Sequence, residues 1–180
     1  GFIEPLANSI KPHLSDDFHL LFSYHGLPIS HVKRADTSGE HCQKVQNCCS
    51  ISNDANAKCY SHHCTMTTMA VVDYLGLEKS QWSISYQSRL GPVKWLEPST
   101  MNTVERLAAE GKKKLAIVSP AFLADGLETL EELDIEIRNH FIKSGGEELI
   151  VVKCLNDDPK WIKGLGGIVS KSFEKSIALN

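Results

Sequence analysis

Four short apolar runs, set well apart, limit what this chain can fold into more than any other feature. Residues 19–24 (HLLFSY), 82–88 (WSISYQS), 114–120 (KLAIVSP) and 148–155 (ELIVVKCL) have the length and the β-branched or aromatic content of strands. Between them the apolar residues step by three and four. After the second run, Val104, Leu107 and Ala108 share a helical face and Gly111 offers a stop. After the third, Leu127, Leu130, Leu133, Ile137 and Phe141 predict one apolar stripe, closed by the glycine pair at 145–146. A terminal helix is predicted over residues 159–175 (PKWIKGLGGIVSKSFEK).

Nearly continuous apolar strands alternating with helices predict an α/β fold, a doubly wound four-stranded parallel sheet covered on both faces. The connection between the first two runs, residues 26–81, is too long for one crossover helix. Residues 65–77 (TMTTMAVVDYLGL) supply that helix, which leaves 29–64 as an insertion between strands one and two within a single domain of residues 1–180. With 180 residues and 42% hydrophobic side chains, the chain can bury an ordinary core without staples. Its net charge of −3 comes from interspersed acids and bases, so no nucleic-acid footprint is visible. No run approaches the roughly 18 apolar residues that span a bilayer, and no leader opens the sequence. The expectation is a cytoplasmic protein. The opening GFIEPLANSI reads as helix running in from upstream, as in a piece of a longer protein.

In parallel sheets, ligands gather beyond the carboxyl ends of the strands. That places SYHGLP, YQSRLGP and SPAFLADGLE on the working edge. His25 follows the first strand there, and an imidazole exchanges protons near neutral pH, although a lone histidine is often structural. Glu128, Glu132 and Glu136 recur every four residues as an acidic ridge, suited to passing a divalent cation or taking up protons. Against that stands a structural role, because residues 125–128 (DGLE) have the form of a capping box. Arg89 can neutralise an acidic ligand, and Trp95 can stack on a flat one.

LLFSYHGLP, YQSRLGPVKWLEPST and SPAFLADGLETLEELDIE, in this order and at these spacings, resemble the carboxyl-terminal half of ferrochelatases. That family inserts ferrous iron into protoporphyrin IX to give protohaem. The resemblance runs from residue 1 to about residue 168, apart from the insertion. It implies that His25 is the catalytic histidine, taking pyrrole protons or binding the incoming metal, and that Glu128 is the catalytic glutamate. It also implies a substrate and metal path along Glu132, Asp125 and Arg89, with Trp95 and Phe122 near the macrocycle. Family members often carry a histidine two residues before the glutamate, where this chain has Gly126. The implied partners are protoporphyrin IX, ferrous iron and the amino-terminal half of the same enzyme, with peripheral contact at the inner membrane. Without that half, the fragment is expected to turn over poorly. The rival readings are a non-catalytic metal- or redox-sensing module of this fold, and a cobalt or nickel chelatase acting on another tetrapyrrole.

Residues 41–64 (HCQKVQNCCSISNDANAKCYSHHC) hold five of the six cysteines. Disulfides suit neither a reducing compartment nor an odd count. Zinc, with His41, His62 and His63 as further ligands, lacks the familiar pair of C-x2-C knuckles. An iron–sulfur cluster tolerates irregular spacing, and the resemblance implies one, because several family members carry a 2Fe–2S cluster. Its expected ligands are Cys42, Cys59, Cys64 and one of the adjacent Cys48 and Cys49, with Cys49 preferred. Cys154 reads as a buried apolar residue of the last strand.

Overall fold

The computed structural model describes residues 1–15 and 17–178. Strands β1 (Phe18–His25), β2 (Trp82–Gln87), β3 (Lys114–Val118) and β4 (Glu148–Val151) form one parallel sheet in the order β2-β1-β3-β4. The doubly wound α/β architecture read from the sequence is therefore present. The alternating strand residues divide the core in two. Leu20, Phe22 and Tyr24 face α1 (Ile3–Ile10), α3 (Tyr60–Leu75) and α6 (Pro159–Ala178), which contribute Ile10, Val71 and Trp161. Leu21 faces the other way, toward α4 (Thr100–Ala109), a π-helix (Glu128–Ile137) and α5 (Arg138–Lys143), which contribute Leu107, Leu133 and Phe141. A two-residue strand period with helices on both sides produces this separation.

On the second face the sheet turns polar toward its carboxyl ends. Leu21 and Ile117 give way to Ser23, Ser85, Gln87 and Ser119, all buried. In register, Ser23 pairs with Ser85 and His25 pairs with Gln87. The polar floor of a site is thus built into strands that are otherwise apolar. The helices beside it are firmly bounded: the Ser99 hydroxyl accepts from the Asn102 amide at 3.2 Å to start α4. At the other end of the β1–β2 crossover, α3 stops at Gly76 in the left-handed region, φ 67°.

Two expectations are corrected. The helix after β3 winds as a π-helix through Ile137, so Thr129, Leu133 and Ile137 are buried while Leu127 and Leu130 are 74% and 58% exposed. Bonding to the fifth residue puts more than four residues in each turn, so residues four apart stay close to one line instead of drifting as on an α-helix. The predicted leucine stripe fails at its first two members for that reason, and the same winding keeps Glu128, Glu132 and Glu136 in line. The second correction concerns 29–64. Residues Ile29–Arg34 form α2, and α3 begins at Tyr60 with Cys59 at its cap, so Cys64 lies on the crossover helix and not in a loop. The fourth run ends as strand at Val151, and Cys154 is half-buried beyond it. Among the described residues, no helix is long and apolar enough to cross a membrane.

The π winding makes a direct stability prediction. Leu133→Ala should lower the unfolding free energy by about 2–5 kcal/mol, whereas Leu130→Ala should change it by under about 0.5 kcal/mol, as read from urea midpoints.

Candidate active site at the carboxyl edge of the sheet

Gln87, 2% exposed at the end of β2, joins every element of this edge. Its Oε1 accepts from the Ser23 hydroxyl on β1 at 2.8 Å and from the Ser119 hydroxyl beyond β3 at 3.2 Å. The acceptors opposite fix the amide's orientation, because a hydroxyl can donate or accept whereas a carbonyl and a carboxylate only accept. The Nε2 group consequently points at the π-helix, reaching the Glu128 carbonyl at 3.2 Å and Glu132 Oε2 at 3.4 Å. Ser88 follows in the left-handed region, φ 61°, uncommon for a residue with a side chain. Its amide donates to Glu132 Oε1 at 2.6 Å and its hydroxyl to Oε2 at 2.5 Å. Glu132 is therefore an anchored carboxylate.

Glu128, Glu131, Glu132 and Glu136 line a cavity of about 420 Å³ with Gln87 and Arg89. Among the described residues nothing donates to the Glu128 carboxylate. Arg89 does not neutralise this cavity freely: its Nη2 is 2.6 Å from Glu97 and donates to the Leu96 carbonyl at 3.0 Å. The Arg89 hydrogen bond holds the Glu97 carboxyl below the usual range. The result is an acid-lined pocket.

His25 stands on the other side of Gln87. Its ring meets Phe122 edge-on with centroids 5.9 Å apart, at the point where the chain order of the sheet reverses. Gly26 then lets the chain turn close against β2, since a Cβ there would come within 2.7 Å of the Gln87 carbonyl and 3.4 Å of the Trp95 ring. Trp95 is held by a short antiparallel bridge to Pro28. Among the described residues, neither His25 Nδ1 nor Trp95 Nε1, both buried, has a hydrogen-bond partner, a costly state for polar atoms.

Asp125 joins neither group. The capping box does not form. Asp125 instead accepts from the Cys154 amide at 3.0 Å and from Asn156 Nδ2 at 2.8 Å, tying the π-helix start to the exit of β4. Thr129 caps in its place, its hydroxyl accepting from the Gly126 amide at 3.0 Å. Sequence reading also missed Gln87, Ser88, Ser23 and Ser119. The signal was present as small polar residues closing the runs LLFS, SYQS and AIVS.

The cysteines converge elsewhere. Cys42, Cys49, Cys59 and Cys64 all pack into the core on the α3 side of the sheet, and Cys48 does not. Cys48 lines a cavity of about 700 Å³ beside β2, together with Cys49. Burial pushes the Cys49 and Cys64 thiols up to about 12, and neighbouring thiols add to both shifts, as they do at Cys42. A bound cation would relieve desolvation and repulsion together. Asp36 shapes the loop, accepting from the Cys42 amide at 2.7 Å and the His41 amide at 2.9 Å. His41, His62 and His63 spend ring nitrogens on the carbonyls of Cys48, Cys49 and Ala57. The thiols supply the sulfur donors that an iron–sulfur group takes. All six cysteines are free thiols. Among the described residues no three His, Cys, Asp or Glu side chains are grouped to hold a metal ion, so the thiols are gathered but not closed around one.

A family model described as ferrochelatase matches residues 1–173. The chain belongs to the ferrochelatase family. A curated ferrochelatase of Pseudomonas fluorescens (strain Pf0-1) is 43% identical over 173 residues, covering 95% of this chain and 51% of that protein. That of Ectopseudomonas mendocina (strain ymp) is 45% identical over 166 residues, covering 91% and 48%. The chain thus spans about half the length of the curated ferrochelatases it matches.

The engaged Asp125 carboxyl lies below its usual pKa; burial alone would raise it, but the hydrogen bonds from Asn156 and Cys154 outweigh burial. A lowered folded-state pKa stabilises above the unfolded value, about 3.9, and the contribution disappears as pH falls through the lowered value. Asp125→Asn should therefore unfold at lower urea than wild type at neutral pH. That difference should shrink below about pH 4.

Proposed function

We propose that this chain is the carboxyl-terminal half of an enzyme that inserts ferrous iron into protoporphyrin IX, in the cytoplasm and in peripheral contact with the inner membrane. One observation carries the reading: Gln87, which lines the acid-lined cavity, pairs in register with His25, whose strand ends beside it. Metallating a porphyrin requires removal of two pyrrole protons and exchange of the water on the incoming iron. His25, with its unpartnered nitrogen, accepts pyrrole protons. Glu128 and Glu136 take the cation along the ridge while the anchored Glu132 keeps the path in place. Trp95 and Phe122 offer aromatic surface to the macrocycle. Leu127, 74% exposed at the cavity's edge, offers apolar surface to a membrane-borne, poorly soluble substrate. The amino-terminal half supplies the opposite wall.

In the same reading Cys42, Cys49, Cys59 and Cys64 would hold a 2Fe–2S cluster. The burial of Cys49 against the core favours it as the ligand from the adjacent pair, with Cys48, its sulfur 3.9 Å from that of Cys49, as the alternative. Such a cluster, on the far side of the sheet from the acidic cavity, supplies redox sensitivity and cross-linking, and the steps of metal insertion run through the chain's own side chains.

Iron insertion by the full-length protein, followed as loss of porphyrin fluorescence, tests the catalytic claim. His25→Ala and Glu128→Gln should each lower turnover by about 100-fold or more, and residues 1–180 alone should turn over little. Full activity in either variant would contradict the assignment. The protein purified without air should be brown and bleach on reduction, and a colourless, zinc-bearing product would remove the cluster.

A further inference from the structure

The helix α6 outruns the domain it belongs to. Its start is well covered: Trp161 is buried with the Phe2 ring edge-on to it at 5.5 Å, Leu165 packs against the same core, and Lys160 lies 3.6 Å from Glu4 of α1. From Gly166 to Glu174 every residue is exposed, although the helix continues without a break. Such a stretch is poorly equipped to stand alone in water. About two and a half turns of isolated helix are marginal there, and Gly164, Gly166 and Gly167 weaken it further.

The apolar residues nevertheless keep the pattern of a covered face. At 100° per residue, Ile162, Leu165, Ile168, Val169 and Phe173 fall with Trp161 in one arc of about 140°, interrupted through Glu174 only by Ser172. Lys160, Lys163 and Lys171 lie outside that arc. The domain's own core uses the inner end of the stripe. The outer end, Ile168, Val169 and Phe173, is 50%, 44% and 66% exposed.

The path of the chain indicates what covers it. Gly1 lies against α6: a Cβ on Gly1 would come within 3.1 Å of Gly164 Cα, and one on Gly164 would run into the Gly1 carbonyl. The chain spans about half the length of its curated relatives, and on the functional reading above the other half precedes Gly1. That half therefore joins the domain at the turn of α6 where the cover runs out.

We propose that the amino-terminal half of the full-length protein docks on the outer stripe of α6, so that Ile168, Val169 and Phe173 form an interface between the two halves. The inference rests on reading this chain as a carboxyl-terminal half and adds which surface the other half covers.

The test uses the full-length protein, assayed first for iron insertion. Backbone amides of residues 167–174 should exchange at least about 100-fold more slowly than those of an unstructured peptide. A photoreactive benzoylphenylalanine placed at position 173 should cross-link to a peptide upstream of residue 1, with a yield independent of protein concentration and of added phosphatidylglycerol vesicles. Val169→Asp should speed exchange of the same amides at least about tenfold, and Lys171→Glu, outside the stripe, should leave it unchanged. Exchange at the unstructured rate, exchange indifferent to Val169→Asp, or cross-links to a second copy or to lipid instead of the upstream half would overturn the docking. Iron insertion by protein that fails these comparisons sinks the docking alone. Absence of iron insertion sinks the functional reading, and the exchange and the cross-link then still decide the docking.

Discussion

The amide of Gln87 is the interaction on which the working edge depends. Buried at the end of the sheet's edge strand, it cannot be left unpaired without a penalty of about 1–3 kcal/mol for each polar group. Ser23 and Ser119 satisfy its oxygen, and the Glu128 carbonyl and Glu132 carboxylate, which can only accept, hold its nitrogen toward the π-helix. The strand that carries Gln87 also pairs with His25 and accepts from the Gly26 amide at 2.7 Å. One residue thus sets both the strand end that bears the imidazole and the first turn of the helix that bears the carboxylates.

The π-helix completes the arrangement. Its wider turns bury Thr129, Leu133 and Ile137 on one line and hold four glutamates toward a single cavity. Like charges brought together in this way repel, which an α-helix would lessen by rotating them apart. Donation from Ser88 and Gln87 offsets that repulsion at Glu132 alone. The other carboxylates keep their negative charge available to a cation.

Much of this was legible in the sequence because strand and helix periods are strong signals. All four strands lie where their apolar runs fall, and the crossover through Val71 and Val72 and the helix through Val104 and Leu107 are both present. The resemblance carried by SYHGLP and ETLEEL pointed to His25 and Glu128; in the structure His25 pairs in register with Gln87, whose amide nitrogen reaches the Glu128 carbonyl. What was not legible followed from rules that override local pattern. A π-helix has no compositional signature, so Leu127 and Leu130 read as core. Asp125 looked like a cap because its spacing to Glu128 was right, yet Cys154 and Asn156, distant in sequence, claimed its carboxylate. Tyr60 fell in text that read as an insertion, and the early start of α3 brings its hydroxyl to the His25 carbonyl.

The central claim is that Gln87 holds the imidazole and the acidic ridge in working register, and Gln87→Leu in the full-length protein tests it most directly. The account predicts that iron insertion falls at least about tenfold while protoporphyrin still binds and the fold survives. Insertion at the wild-type rate in a folded Gln87→Leu protein would contradict it.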